Sequence, residues 1–151
     1  MKTTLILFCF LFLSAPAIFA QKTDVFVTSD GAIKGYDPVA YFKENKPVKG
    51  DQKFSTDFNG AKWVFSSQEN LDAFKMNPEK YVPQFGGFCA YGTAEGHKSP
   101  TSPEAFTIVD DKLYLNYNMK VKDLWNVKQK ENIEKANKNW ETLKTPEHKN
   151  N

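Results

Sequence analysis

The chain has 151 residues, with 20 basic residues, every one a lysine, against 18 acidic ones, for a formal charge of +2. This near balance, and the absence of the bidentate guanidinium fork, argue against a nucleic-acid partner. The length suits one domain with a single modest core and excludes a repeat array or a multidomain enzyme.

Met1–Ala20 reads as a signal peptide: Lys2, an apolar run from Leu5 to Leu13, then small residues. Cleavage is expected after Ala20, with Ala17 as the alternative, and the mature form is expected to be exported, periplasmic or secreted. No later run approaches the roughly 20 apolar residues needed to cross a bilayer, so no stable membrane insertion is expected after signal removal. Cleavage also removes Cys9 and leaves Cys89 as the lone thiol, without an intramolecular disulfide partner. Residues 21–32 read as an N-terminal extension, 33–145 as the domain and 146–151 as a frayed tail.

Gly35-Tyr36-Asp37-Pro38-Val39-Ala40-Tyr41-Phe42 packs an acid, a proline and three aromatics into eight positions. Asp-Pro favours a turn or an extended lead-in, and the rings can roof the core; the alternative sets Asp37 or Tyr36 beside a cleft. Phe54–Phe58, Asn59-Gly60 and Ala61–Phe65 spell a β-hairpin around a type I′ turn, with Phe54, Phe58, Trp63 and Phe65 inward and Ser55, Asp57 and Lys62 outward or flanking. Ser66 with Glu69 three residues on predicts a capping box for a helix that carries Leu71 and Phe74 and stops near Met76. Asn77-Pro78-Glu79-Lys80 predicts a second, short helix carrying Tyr81, with Asn77 as cap.

Glycines and prolines from Gln84 to Pro103 predict a long loop, of the kind that carries function when ordered. Phe106–Val109, Asp110-Asp111 and Leu113–Tyr117 predict a second hairpin. Val121, Leu124 and Trp125, then Ile133, Ala136, Trp140 and Leu143, lie at helical spacing, broken by polar Asn126–Lys130 into two amphipathic helices. Glu131–Lys135 and Glu134–Lys138 are spaced for i,i+4 pairs. The expected architecture is α+β: a small antiparallel sheet of hairpins packed against several short helices.

Chemistry concentrates in Phe85-Gly86-Gly87-Phe88-Cys89-Ala90-Tyr91-Gly92 and the following Gly96-His97-Lys98. A lone cysteine is often a small buried hydrophobe. A thiolate and an imidazole are also the soft ligands of Cu(I) and Zn(II), and eight residues of loop could bring Cys89 and His97 onto one ion. Further ligands would come from Met119, Met76, a tyrosine, a carboxylate, solvent or a second subunit. A third reading activates Cys89 as a nucleophile through His97, with Asp37 or Glu95 orienting the imidazole, while redox exchange, lacking a resolving cysteine in the mature chain, is limited to a glutathione-like adduct or an intermolecular bridge.

Gly35–Phe42, Asn77-Pro-Glu-Lys-Tyr81, Gly86-Gly-Phe-Cys-Ala-Tyr-Gly92 and Leu113-Tyr-Leu-Asn-Tyr-Asn118, in this order, resemble exported single-domain YHS-domain proteins over about Ile33 to Leu143. The resemblance implies a compact α+β domain associated with heavy-metal handling, copper in particular. YHS domains attached to metal-transport proteins carry one cysteine after Asp-Pro-Val and others after the aromatic strand; here Ala40, Ser66 and Asn70 take those positions. A metal role therefore passes to Cys89 and His97, with Met119 as a third ligand. The resulting expectation is an exported, non-catalytic domain that binds a soft metal ion, Cu(I) by preference. The alternatives are a thiol-reactive enzyme or redox protein using Cys89, and a structural or interaction module whose Cys89 is inert.

Overall fold

The computed structural model describes residues 23–144. The signal segment 1–20 and the tail 146–151 lie outside the described residues. Six α-helices and three β-hairpins follow one another in this span, in keeping with the expected α+β class. The hairpins do not merge: β1 (Val27–Thr28) pairs with β2 (Gly31–Ala32), β3 (Asp51–Phe58) with β4 (Ala61–Phe65), and β5 (Phe106–Val109) with β6 (Lys112–Leu115), each an antiparallel pair of its own. Side chains join them into one body.

The main core is built from Trp63 and Phe65 of β4, Leu71 and Phe74 of α2 (Gln68–Met76), Val39 and Tyr41 of α1 (Pro38–Glu44), and Leu113 and Leu115 of β6. Phe74 is its hub, with the rings of Phe58, Trp63 and Phe65 5.7, 5.6 and 5.0 Å away. The alternation read along the first hairpin puts Trp63 and Phe65 inside and Asp57 and Lys62 outside. Val64, on the other face of β4, is also buried, because β2 lies against it and Gly31 leaves no room for a side chain there. Residues 24–32 are part of this packing, with Val25 and Ala32 in the main core.

A second, smaller core stacks Phe85, Tyr114, Trp125 and Trp140, with ring centroids 5.5 to 6.0 Å apart along the series. It holds α5 (Met119–Val127) and α6 (Gln129–Leu143) against β6 and against α4 (Ala90–Ala94). The break predicted at Asn126–Lys130 falls at Lys128. Trp125 is fully buried, whereas Leu124, expected on the same stripe, is 47 % exposed, since one narrow contact face suffices for a nine-residue helix. The Glu131–Lys135 pair closes at 2.8 Å.

Three local expectations are corrected. Ser67, not Ser66, caps α2, accepting from the Asn70 N–H at 3.1 Å. The cap position before α3 (Pro78–Tyr81) is Asn77, but its side chain makes no capping bond. The stretch 84–103 is not loop throughout: it contains a 3₁₀ turn, Gln84–Gly87, and the single-turn helix α4.

Candidate functional site

Asp37 settles the first of the open readings. Its carboxylate is fully buried and serves as the N-cap of α1, with Oδ1 accepting from the Val39 N–H at 2.8 Å and the Ala40 N–H at 3.2 Å. Oδ2 accepts from the Ser66 N–H (2.8 Å), Ser66 Oγ (2.7 Å) and Asn70 Nδ2 (2.7 Å). Burying a carboxylate is costly unless donors replace its water, and here both oxygens are fully supplied. Ser66 is spent on this knot, which is why the cap falls to Ser67. Ala40, Ser66 and Asn70, which stand where the resemblance would align the cysteines of metal-transport YHS domains, thus gather around Asp37 as a closed hydrogen-bond cluster. They present no soft ligand.

Cys89 is also buried, 2 % exposed. It occupies the N-cap of α4, and its sulfur accepts from the Gly92 N–H at 3.4 Å. The Cys89 thiol donates to Asn116 Oδ1 at 3.5 Å, the oxygen that also accepts from the Tyr91 N–H at 3.0 Å. Asn116 is fixed in turn by its backbone, with its N–H on the Ala105 carbonyl (2.8 Å) and its carbonyl accepting from the Ser102 N–H (3.0 Å). Its Nδ2 is buried without a partner.

His97 is exposed, but its backbone N–H donates to the Gly92 carbonyl at 3.0 Å, and its Nε2 would stand 3.3 Å from a Cβ at Gly92. Gly92 therefore brings the sulfur and the imidazole to one residue, the sulfur on its N–H and the ring over its Cα. A Cβ at Gly92 would crowd this ring, the His97 carbonyl and Ser99 Oγ at 3.3 to 3.4 Å. Met119 opens α5 on the surface, half exposed, directly after the Asn118 cap. Among the described residues no group of three or more histidines, cysteines and carboxylates is clustered to hold an ion.

A second layer fixes this segment. The Cys89 N–H donates to the Ser99 carbonyl at 2.9 Å, and Asn139 Nδ2 of α6 donates to the Thr93 and Ala94 carbonyls at 3.1 and 2.9 Å, closing the C-terminal end of α4. Lys98 reaches Asp24 at 2.8 Å and lies over the rings of Phe88 (5.2 Å) and Trp140 (5.1 Å). Sequence reasoning missed the roles of Asn116 and Lys98. For Asn116 the one trace was an amide directly after the apolar β6, which does not by itself point to a helix cap; for Lys98, one lysine among 20, there was none.

The donor set admits a soft ion in kind: one thiol and one imidazole each lie against Gly92, a pair that suits low-coordinate Cu(I) better than a four-ligand zinc centre. It does so with the sulfur already engaged as both donor and acceptor. Among the described residues no helix is long and apolar enough to cross a membrane.

No curated protein and no solved structure matches the chain. Cys89, His97 and Met119 all lie C-terminal to the one stretch that a family model recognises, whereas Ala40, Ser66 and Asn70 lie inside it. That stretch, residues 39–85, runs from the first turn of α1 into the 3₁₀ turn that precedes Cys89, and it matches the family model of the YHS domain.

Proposed function

We propose that this protein is an exported, non-catalytic module that handles a soft metal ion, Cu(I) by preference, with Cys89 and His97 as its ligands and Met119 as an auxiliary thioether. One observation carries the reading: the sulfur of Cys89 and the imidazole of His97 both pack against Gly92. The YHS match supports metal handling in general, and the closed Asp37 cluster directs attention away from Ala40, Ser66 and Asn70. Export rests on the composition of Met1–Ala20 alone.

Uptake requires the thiol to give up its proton and the sulfur to exchange its hydrogen bonds for the ion. Asn116 Oδ1, which accepts that S–H, would have to turn or yield. The ion is cargo here, and the protein's part is to offer two soft donors on a short, releasable segment.

A second reading, an inert thiol in a structural or interaction module, is favoured by the low exposure of Cys89 and by its two hydrogen bonds. Competition for Cu(I) against a chromogenic chelator, in a Cys9→Ser background, separates the two. The metal reading expects about one equivalent bound, with affinity falling at least tenfold in Cys89→Ser and by less in His97→Ala. Equal affinity in Cys89→Ser and its parent would leave the inert-thiol reading.

A further inference from the structure

We propose that Lys98 is a latch that controls access to Cys89. The residue stands between His97, whose ring lies on Gly92, and Ser99, whose carbonyl accepts from the Cys89 N–H. Any movement that uncovers the sulfur along this side therefore moves Lys98. Its ammonium joins three separate stretches of chain to the segment: Asp24 before β1 (2.8 Å), Phe88 beside the thiol (5.2 Å to the ring centre) and Trp140 on α6 (5.1 Å).

The setting makes this more than a surface ion pair. The side chains of Lys98 and Asp24 are 26 % and 29 % exposed, so the pair is partly shielded from water, and two aromatic faces flank the cation. Asp24 is held in place by the chain around Gly86: a Cβ at Gly86 would collide with the Asp24 carbonyl, and the Phe26 N–H donates to the Gly86 carbonyl at 2.8 Å. The partner of the latch is thus anchored to the turn that leads into Cys89. Beneath it, α4 is only five residues long; the backbone N–H groups of Glu95, Gly96 and His97 close its end, and Asn139 of α6 adds bonds to the Thr93 and Ala94 carbonyls. Ala90 and Ala94 belong to the smaller core, so α4 can open as a unit separate from the main core. Releasing Lys98 would free the 88–98 segment while β3, β4, α1 and α2 stay packed.

This deepens the metal reading and rests on it only for what enters; the latch itself concerns the thiol. The test is the rate at which N-ethylmaleimide labels Cys89 in the metal-free full chain, read peptide by peptide by mass spectrometry, in wild type and in Lys98→Met. The methionine keeps an apolar stem against Phe88 and Trp140 and removes the charge. The expected result is labelling about tenfold faster in Lys98→Met, at urea concentrations well below the unfolding midpoint and with a shallow dependence on urea. Added salt should speed labelling of wild type and leave Lys98→Met nearly unchanged.

Equal rates in the two proteins would overturn the latch. So would labelling that follows global unfolding with the full urea dependence in both, because the thiol would then be reached only through the unfolded chain. The metal reading falls separately: faster labelling in Lys98→Met without Cu(I) affinity in either protein keeps the latch and removes the cargo, and Cu(I) binding with unchanged labelling does the reverse.

Discussion

Asn70 Nδ2 donates to Asp37 Oδ2 at 2.7 Å, a buried bond spanning 33 residues that ties α2 to the first turn of α1. The same carboxylate oxygen takes both donors of Ser66, so the strand that ends at Phe65 and the two helices beside it share one polar centre. Removing the carboxylate would leave several buried donors without an acceptor. Asp37→Ala is expected to cost about 3 kcal/mol or more, since each orphaned buried group costs about 1–3 kcal/mol. Asp37→Asn, which keeps one acceptor oxygen, should cost less. Urea unfolding measures both, and a loss under about 1 kcal/mol for the alanine variant would contradict the structural role assigned to Asp37.

Glycine is required at Gly86 and merely preferred at Gly60. Both have positive φ, 62° and 71°, but a Cβ at Gly86 would meet the Asp24 carbonyl, while one at Gly60 would meet only Thr23 atoms at 3.4 and 3.5 Å. Gly60→Ala should therefore cost about 1–2 kcal/mol, the ordinary penalty of the left-handed region. Gly86→Ala should cost at least twice that or prevent folding, because a backbone carbonyl cannot step aside as a side chain can. Thermal melts of the two variants give the order, and equal losses would contradict the docking of residues 24–26 on the 84–87 turn.

Alkaline stability should depend on Tyr41. Burial, and then the nearby Glu104 carboxylate, push its phenol well above the usual value of 10, and its hydroxyl donates to the Pro103 carbonyl at 3.1 Å. A group that holds its proton more tightly folded than unfolded stabilises the fold fully below the unfolded pKa. As the pH rises past about 10 the unfolded chain sheds the proton first, so stability falls with pH from there toward the folded value. Tyr41→Phe should lower stability at neutral pH by about 1 kcal/mol through the lost hydrogen bond and flatten the decline above pH 10. Unfolding midpoints across pH 8 to about 11 give the slope; an unchanged slope in Tyr41→Phe would assign the alkaline loss to other residues.

Helix capping separates two adjacent serines. Ser67→Ala removes the bond from the Asn70 N–H and should cost about 1 kcal/mol. Ser66→Ala removes a hydroxyl from the Asp37 cluster instead and should cost more, because Asp37 Oδ2 and Asn70 Nδ2 both lose a partner there. A larger loss for Ser67→Ala, measured by urea unfolding, would reverse the assignment.

Features that depend on neighbours in sequence were readable before the structure. Asn59 and Gly60 take φ of 51° and 71°, the type I′ turn that the dipeptide favours, and the break between α5 and α6 follows from a polar interruption of an apolar stripe. Asp110 and Asp111 adopt φ of 50° and 55° and close the second hairpin in the same way, although aspartate favours that region less strongly than Asn-Gly does. The misread features are those in which a distant partner overrides a local rule. Ser66 has the spacing of a cap, yet a carboxylate 29 residues earlier claims it. Ile33 and Phe85 stand at φ of 44° and 56°, where nothing in their side chains would put them, in two turns, 33–35 and 84–87, that meet so closely at Gly87 that a Cβ there would collide with Ile33. In the candidate site, Cys89 and His97 were visible as residue types on one glycine-rich stretch. Asn116, 27 residues beyond the thiol, was not, since no spacing rule links a strand-end amide to a helix cap.

The pairing of Cys89 with His97 on one ion is the central claim, and X-ray absorption at the copper edge tests it directly. In a Cys9→Ser background loaded with one equivalent of Cu(I), the account predicts a low-coordinate ion with a thiolate sulfur and a nitrogen neighbour besides the Met119 thioether, the thiolate sulfur lost in Cys89→Ser and the nitrogen lost or replaced in His97→Ala. A first shell that lacks sulfur, or one that is the same in Cys89→Ser as in its parent, would contradict it.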